Sequence, residues 1–300
     1  MPVSGRRSRR VAAALLVSVL AGAVAAGPAA ACIVPKPAPA PTDHPASAWP
    51  STRHGAPLLA VIIDDLGYGY DTGRALIDLA APLSVAILPH TPYGPALAAL
   101  AHRRGRSVLV HLPMEADHAN HLLGPGALTS AMDQASFRAR LAEDLAAVPG
   151  AIGVNNHMGS RLTTSVQAMH WLFEGLAAQG IRTFVDSRTT HRTVAGEVAR
   201  SHRGLTYLDR DVFLDNELSG PAIAARLEEA VSIAERDGYA VAIGHPHRET
   251  LDVLRRTLPE LTGRGLKLVN IGALAALVRA ADGEHVDATE SAPAAAEDPC

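Results

Sequence analysis

Thiols are almost absent from this chain: it has two cysteines, Cys32 and Cys300, set far apart near the two ends. That scarcity excludes a Cys-based zinc site, a CxxC redox pair and a thiol nucleophile from the central region. The two either stay apart or pair in an oxidising compartment, since chain termini often lie close together. Aromatic residues make up 4% of the chain although 48% of it is hydrophobic, so the core is aliphatic. No GxGxxG fingerprint is present, which leaves a dinucleotide-binding sheet without support. No internal repeat is visible.

The first residues are not fold. Arg6, Arg7, Arg9 and Arg10 precede an apolar, small-residue stretch over 11–26, and Ala29-Ala30-Ala31 forms a small-residue cleavage site. This tripartite order predicts a secretory signal peptide over 1–31. The alternative is a membrane anchor, against which stand the short run and the breaks at Gly22 and Gly27-Pro28. Cys32 follows the Ala triplet directly, as in a lipoprotein cleavage box, but Ala29 stands where Leu is usual, so a lipid anchor at Cys32 is left open. The expected address is the periplasm or cell envelope. Removing 1–31 takes away four Arg and no other charge, so the net charge goes from −3 to −7. A mildly acidic mature chain argues against nucleic acid as a partner.

Residues 32–56 are Pro-rich and read as an extended linker, and residues 280–300 as an acidic, disordered tail. Residues 57–279 between them form one domain in which strands and helices alternate. Candidate strands are 58–63, 83–88, 107–110, 151–154, 181–185, 205–208, 239–243 and 267–270. They are short and continuously apolar, as parallel strands covered on both faces should be. Candidate helices are 73–80, 95–103, 134–147, 166–179, 222–237 and 249–262. The alternation predicts an α/β fold with a parallel sheet, a distorted (β/α) barrel of seven to eight strands; an open doubly wound sheet is the alternative.

Nearly every candidate strand runs straight into Asp, His or Asn, and chemistry in a β/α barrel sits at the C-terminal ends of the strands. Asp64-Asp65 ends the first strand. Two adjacent carboxylates there are costly without a cation or donors, and they can divide the work of metal ligand and base. The alternative is a helix N-cap at Asp65, but Gly67 and Gly69 argue that no helix starts there. His111 ends the third strand as a ligand or a structural imidazole, with Glu115 as a reserve carboxylate. Asn155-Asn156-His157 follows the fourth strand: His157 is the best second imidazole, and the two Asn are candidates to orient ligands, bind substrate hydroxyls or form turns. Asp186 ends the fifth strand and either touches sugar hydroxyls or pairs with Arg188. Asp209, Asp211 and Asp215 read as structural. His245 and His247 follow the seventh strand, and His245, nearer its end, is the preferred general acid.

Read together, Ile63-Asp64-Asp65-Leu66-Gly67, His111-Leu112-Pro113-Met114-Glu115, Asn155-Asn156-His157-Met158-Gly159-Ser160, Val185-Asp186-Ser187-Arg188 and Gly244-His245-Pro246-His247 resemble the divergent polysaccharide deacetylases. That family is similar to the broader carbohydrate esterases that remove acetyl groups from peptidoglycan and chitin-like sugars. The resemblance implies a distorted β/α barrel and a divalent metal, usually zinc. On that analogy Asp64 is the base and Asp65 a ligand, joined by His111 and His157. Asn155, Asn156, Asp186 and His247 would meet substrate, and His245 would protonate the leaving amine. The broader family places a second His four residues after the first; here Glu115 stands there, and its Arg-x-Pro-Tyr motif is missing. The implied activity is hydrolysis of carbon–nitrogen bonds in an acetylated polysaccharide. A non-catalytic envelope protein that binds glycan or a partner through the same mouth, or a metal-dependent glycosidase, are the alternatives.

Overall fold

A computed structural model describes residues 55–282. The expected signal peptide, Cys32, Cys300 and nearly all of the expected linker and acidic tail lie outside the described residues. Among the described residues, no helix is long and apolar enough to cross a membrane.

The strands are β1 (Leu58–Leu66), β2 (Ser84–Ile87), β3 (Ser107–Met114), β4 (Gly153–Met158), β5 (Thr183–Asp186), β6 (Thr206–Asp209), β7 (Val212–Phe213), β8 (Tyr239–Gly244) and β9 (Lys267–Val269). The helices are α1 (Tyr70–Ile77), α2 (Gly94–Arg103), α3 (Gln134–Ala146), α4 (Val166–Ala178), α5 (Ala195–Ala199), α6 (Gly220–Asp237), α7 (Arg248–Gly263) and α8 (Ile271–Ala281). All pairings between named strands are parallel, in the order β6-β5-β4-β3-β2-β1-β8-β7, with β9 against the start of β1. The sheet curls until its two edge strands, β6 and β7, are consecutive in the chain. Arg210 N–H donates to Asp186 O at 2.9 Å and Asp211 N–H to Val241 O at 2.8 Å. One run of chain thus leaves β5 and joins β8 within two residues. This is the curled, distorted (β/α) barrel that the strand–helix alternation predicts.

Side chains alternate across a strand, and the sheet sorts them into two cores. One set, including Leu59, Val61, Ile63, Val85, Val108 and Val154, packs under the surrounding helices. The other set, including Leu58, Ala60, Ile62, Ala86, Leu109, Val185, Leu208, Val241 and Ile243, fills the inside of the curl. Helix α8 closes this inner core from below with Ile271, Leu274 and Ala275. Its entry is anchored at the starts of β2 and β3: Ile271 N–H donates to Ser84 Oγ at 2.7 Å and Gly272 N–H to Ser107 Oγ at 3.1 Å. Asn270 caps it through Ala273 N–H at 2.9 Å.

Several expectations need correction. β1 and β3 run past their apolar cores and carry Asp64-Asp65 and His111 inside the strand, and β4 carries Asn155-Asn156-His157 in the same way. Pairing, not hydrophobicity, decides these ends. No helix starts at Asp65, as expected, since β1 runs on to Leu66; α1 starts at Tyr70 rather than at 73, with Gly69 as its cap. The sequence does not announce strand β7 or helices α5 and α8, because β7 and α5 are too short to show a period and α8 abuts the acidic tail. Helix α8 also takes in Ala280 and Ala281, the first two residues of the expected tail.

Candidate active site at the barrel mouth

The rule that sorts the two cores also builds the site. Continuing each inward-facing row by two residues leads from Ile62 to Asp64, from Leu109 to His111, from Gly153 to Asn155 and from Ile243 to His245. Apolar rows inside the curl therefore end in polar groups at its mouth. The register sets their order around the rim: His111 lies opposite Asn155, and Ile63 opposite Gly244, which brings Asp64 beside His245.

Asp65 would face outward by strict alternation. Instead its φ of 58° turns it into the left-handed region, within an irregularity of the β1–β2 register between Ile63 and Leu66. Both carboxylates consequently serve the mouth. Gly67, at φ +137°, secures the turn that follows, where a Cβ would come within 2.1 Å of Thr91 Oγ1.

Asp65 Oδ1, His111 Nε2 and His157 Nδ1 form a near-equilateral triangle with edges of 3.1, 3.2 and 3.0 Å. Asp65 Oδ1 is buried, yet neither imidazole contact gives it a hydrogen bond of proper geometry. The state of His111 follows from its other nitrogen. Asn155 Nδ2–H donates to Asp64 Oδ1 at 2.8 Å, so Asn155 Oδ1 is the acceptor 2.9 Å from His111 Nδ1, which carries the hydrogen. In its neutral form His111 then offers the lone pair of Nε2 to the triangle. Three electron-rich atoms converging on one point need a positive charge between them. Four-coordinate zinc with bonds near 2.0–2.1 Å sets its ligands about 3.3 Å apart, close to the observed edges. These three residues are the one group among the described residues with the spacing to hold a metal ion. The donor set of two imidazoles and a carboxylate fits such an ion. His111 is 3% exposed but Asp65 is 34% exposed, so the triangle opens toward solvent on one side.

The ionisation of these groups shows the same demand for positive charge, met by a proton on His111 where no cation is held. Burial alone would lower His111, but Asp64 first, then Asp65 and Asn155, hold it up to about 9. Burial alone would raise Asp65, but the two imidazoles beside it outweigh that and hold it far below the usual carboxylate range. Asp64 is raised, because its burial outweighs His111 and His245. A raised carboxylate is a stronger base than an exposed one.

Across the mouth, His245 Nδ1 meets Asp215 Oδ1 at 2.8 Å, while Asp215 Oδ2 accepts from His245 N–H at 2.6 Å and from Thr250 Oγ1 at 2.8 Å. Burial would lower His245, but the bond to Asp215 and the Asp64 charge raise it. The same contacts outweigh burial at Asp215 and lower it. Asp215 reads as structural in the sequence; here it fixes the orientation of His245. It lies thirty residues away in the chain, and no local pattern marks the pairing.

The remaining candidates sit as follows. Asn155 is fully buried and spends its amide on Asp64 and His111. Asn156 faces the other way: its Oδ1 accepts from Ser187 N–H at 2.8 Å and its Nδ2–H donates to Met158 O at 2.7 Å, tying β4 to the end of β5. Asp186, on the outward row of β5, is fully buried and accepts from Arg188 N–H, Thr193 Oγ1 and Tyr207 Oη. The guanidinium of Arg188 pairs with Asp209 at 3.4 Å rather than with Asp186. Glu115 lies outside the triangle, holding Ser130 N–H and Arg161. His247 is exposed, its ring centroid 6.2 Å from that of His245.

Comparison with known proteins bears on the whole domain. The family profile described as divergent polysaccharide deacetylase matches residues 61–275. An uncharacterized protein of Haemophilus influenzae is 36% identical over 219 residues, covering 72% of this chain and 76% of that one. The uncharacterized protein YibQ of Escherichia coli is 34% identical over 203 residues, 68% of this chain and 63% of its own length. Among solved structures, an uncharacterized protein from Agrobacterium tumefaciens shares the fold with a TM-score of 0.69 at 22% identity, covering 74% of this chain and 91% of that one.

Proposed function

The chain belongs to the divergent polysaccharide deacetylase family, and from that premise we propose that it is an exported, metal-dependent hydrolase removing acetyl groups from an acetylated polysaccharide of the cell envelope, with zinc as its metal. One observation carries the reading. The Asp65–His111–His157 triangle lies in the same mouth as a raised carboxylate, Asp64, and an Asp-held imidazole, His245. Ligands, base and acid are three separate sets of side chains, as amide hydrolysis requires.

Asp65, His111 and His157 would hold the cation, which when bound polarises an acetyl carbonyl and acidifies water. Asp64 takes a proton from the attacking water as the water oxygen bonds to the carbonyl carbon. His245 gives its Nε2 proton to the sugar nitrogen as the carbon–nitrogen bond breaks, leaving acetate and a free amine. Asp215 keeps Nδ1 of His245 occupied, so the proton leaves from the nitrogen away from it. Asn155 holds Asp64 and His111 at a fixed separation.

The test is metal analysis of protein purified without chelator, with acetate release from N-acetylated chitooligosaccharides and peptidoglycan. Asp64→Asn should keep its metal and lose about 10²–10⁴-fold in rate, since Asn preserves shape but cannot accept the proton. Unchanged acetate release by that variant refutes the assignment of the base. Release of sugar in place of acetate would mean a glycosidase, and glycan binding with no acetate from any substrate a non-catalytic protein.

A further inference from the structure

Three tyrosines stand out from an otherwise buried aromatic set. Tyr68, Tyr70 and Tyr93 are 56%, 37% and 45% exposed, whereas every other described aromatic side chain is buried or half-buried. In a chain with so few aromatics, three solvent-facing ones in two adjacent β–α connections and at the start of α1 are not filling a core. All three lie at the rim. Tyr68 follows Asp65 by three residues, within about 11 Å of it along the chain. Tyr93 N–H donates to Gly67 O at 2.9 Å, which locks the β2–α2 loop against the β1–α1 loop. The rings of Tyr70 and Tyr93 lie 5.8 Å apart at 54°, an angled pair rather than a stack. From the β3 side, Gly124 approaches Tyr68, its Cβ position falling 3.5 Å from Tyr68 Oη.

We propose that Tyr68, Tyr70 and Tyr93 form a platform that binds the sugar rings next to the acetylated one, so that these three side chains set a preference for longer strands over a free sugar. This rests on the deacetylase reading of the mouth. The chemistry of the platform suits the occupant. A pyranose ring presents a face of C–H groups that packs on an aromatic face, and its rim of hydroxyls meets the phenol group. Tyrosine loses little conformational freedom on binding, with only two side-chain torsions to fix. Continuity with Asp65 through Leu66 and Gly67 places the platform where a strand must pass if one of its acetyl groups enters the mouth.

The experiment measures binding and turnover separately, on the full mature protein, with N-acetylglucosamine oligomers of one to six sugars as probes. Binding is read by calorimetry on Asp64→Asn, so that substrate is not consumed, and turnover as acetate release. Affinity should rise with oligomer length. Tyr68→Ala, Tyr70→Ala and Tyr93→Ala should each weaken binding of the longest oligomer about tenfold, while the matching Phe variants retain most of it. In turnover the Ala variants should raise KM for long oligomers and leave kcat near its original value. Thermal melts of each variant confirm that the exposed positions do not affect folding. Affinity that does not depend on length or on the three tyrosines, or no binding of any oligomer, overturns the platform. Length- and Tyr-dependent binding without acetate release would keep the platform and overturn the deacetylase reading; acetate release indifferent to the Ala variants would do the reverse.

Discussion

Asn155 gains most in meaning from the structure. Its residue type suggests substrate contact, but both ends of its amide are spent inside the mouth, one on Asp64 and one on His111. Asn155→Ala should leave a buried carboxylate oxygen and a buried imidazole N–H without partners. Loss of such an outer partner costs about 10–100-fold in metal affinity, readable by chelator competition. Asn155→Asp keeps the acceptor toward His111 but not the donor toward Asp64, so metal affinity should recover while activity does not. His111 supplies the pH dependence. Without metal its imidazole holds a proton up to about 9, and a ligand nitrogen must give that proton up. Metal affinity should therefore fall as pH drops below about 9, by about tenfold per unit for one proton released. A flat profile between pH 6.5 and 8.5 would show that metal displaces no proton from His111.

At the scale of elements, the strands and helices with clear periodicity are legible in the sequence, as are the candidate residues that the mouth brings together, Asp64, Asp65, His111, His157 and His245. Polar residues at strand ends are visible without knowing the pairing. The inward row was not legible, because it depends on which residues of β1, β3, β4, β5 and β8 share a face of a curled sheet. That is why Asp186, one residue past the inward Val185, ends up among Thr193 and Tyr207. Asp215 was missed for a related reason: its role depends on His245, brought near only by the barrel. One contact between elements carries its own prediction. Asp144 on α3 is fully buried, holds His90 Nε2 at 2.8 Å, and leaves Oδ2 without a hydrogen bond. Burial pushes its carboxyl up to about 8. From the ordinary carboxylate range up to about 8, the folded chain keeps a proton that the unfolded chain has released. Stability should then decline as pH rises through that window, by at most about 1.4 kcal/mol per unit. Asp144→Asn should flatten that decline, as urea titrations at pH 5 and pH 8 would reveal.

For the whole molecule, the inner core depends on its floor. Helix α8 supplies Ile271, Leu274 and Ala275 to the inside of the curl, so Leu274→Ala should cost about 2–5 kcal/mol. We expect residues 55–282 alone to melt in a single transition near that of the mature protein. A melt several degrees lower would mean that the flanking segments pack on the barrel. The floor also limits how a polymer can approach. A curl filled by apolar side chains and stoppered by α8 is a cup and not a tunnel, so nothing can be threaded through it. A strand can only lie across the lip, at any point along its length, and a free end confers no advantage. On the deacetylase reading proposed above, nothing in the shape of the mouth favours starting at a terminus. Early products from a long strand should carry their bare amines scattered through the interior, not gathered in a block at one end.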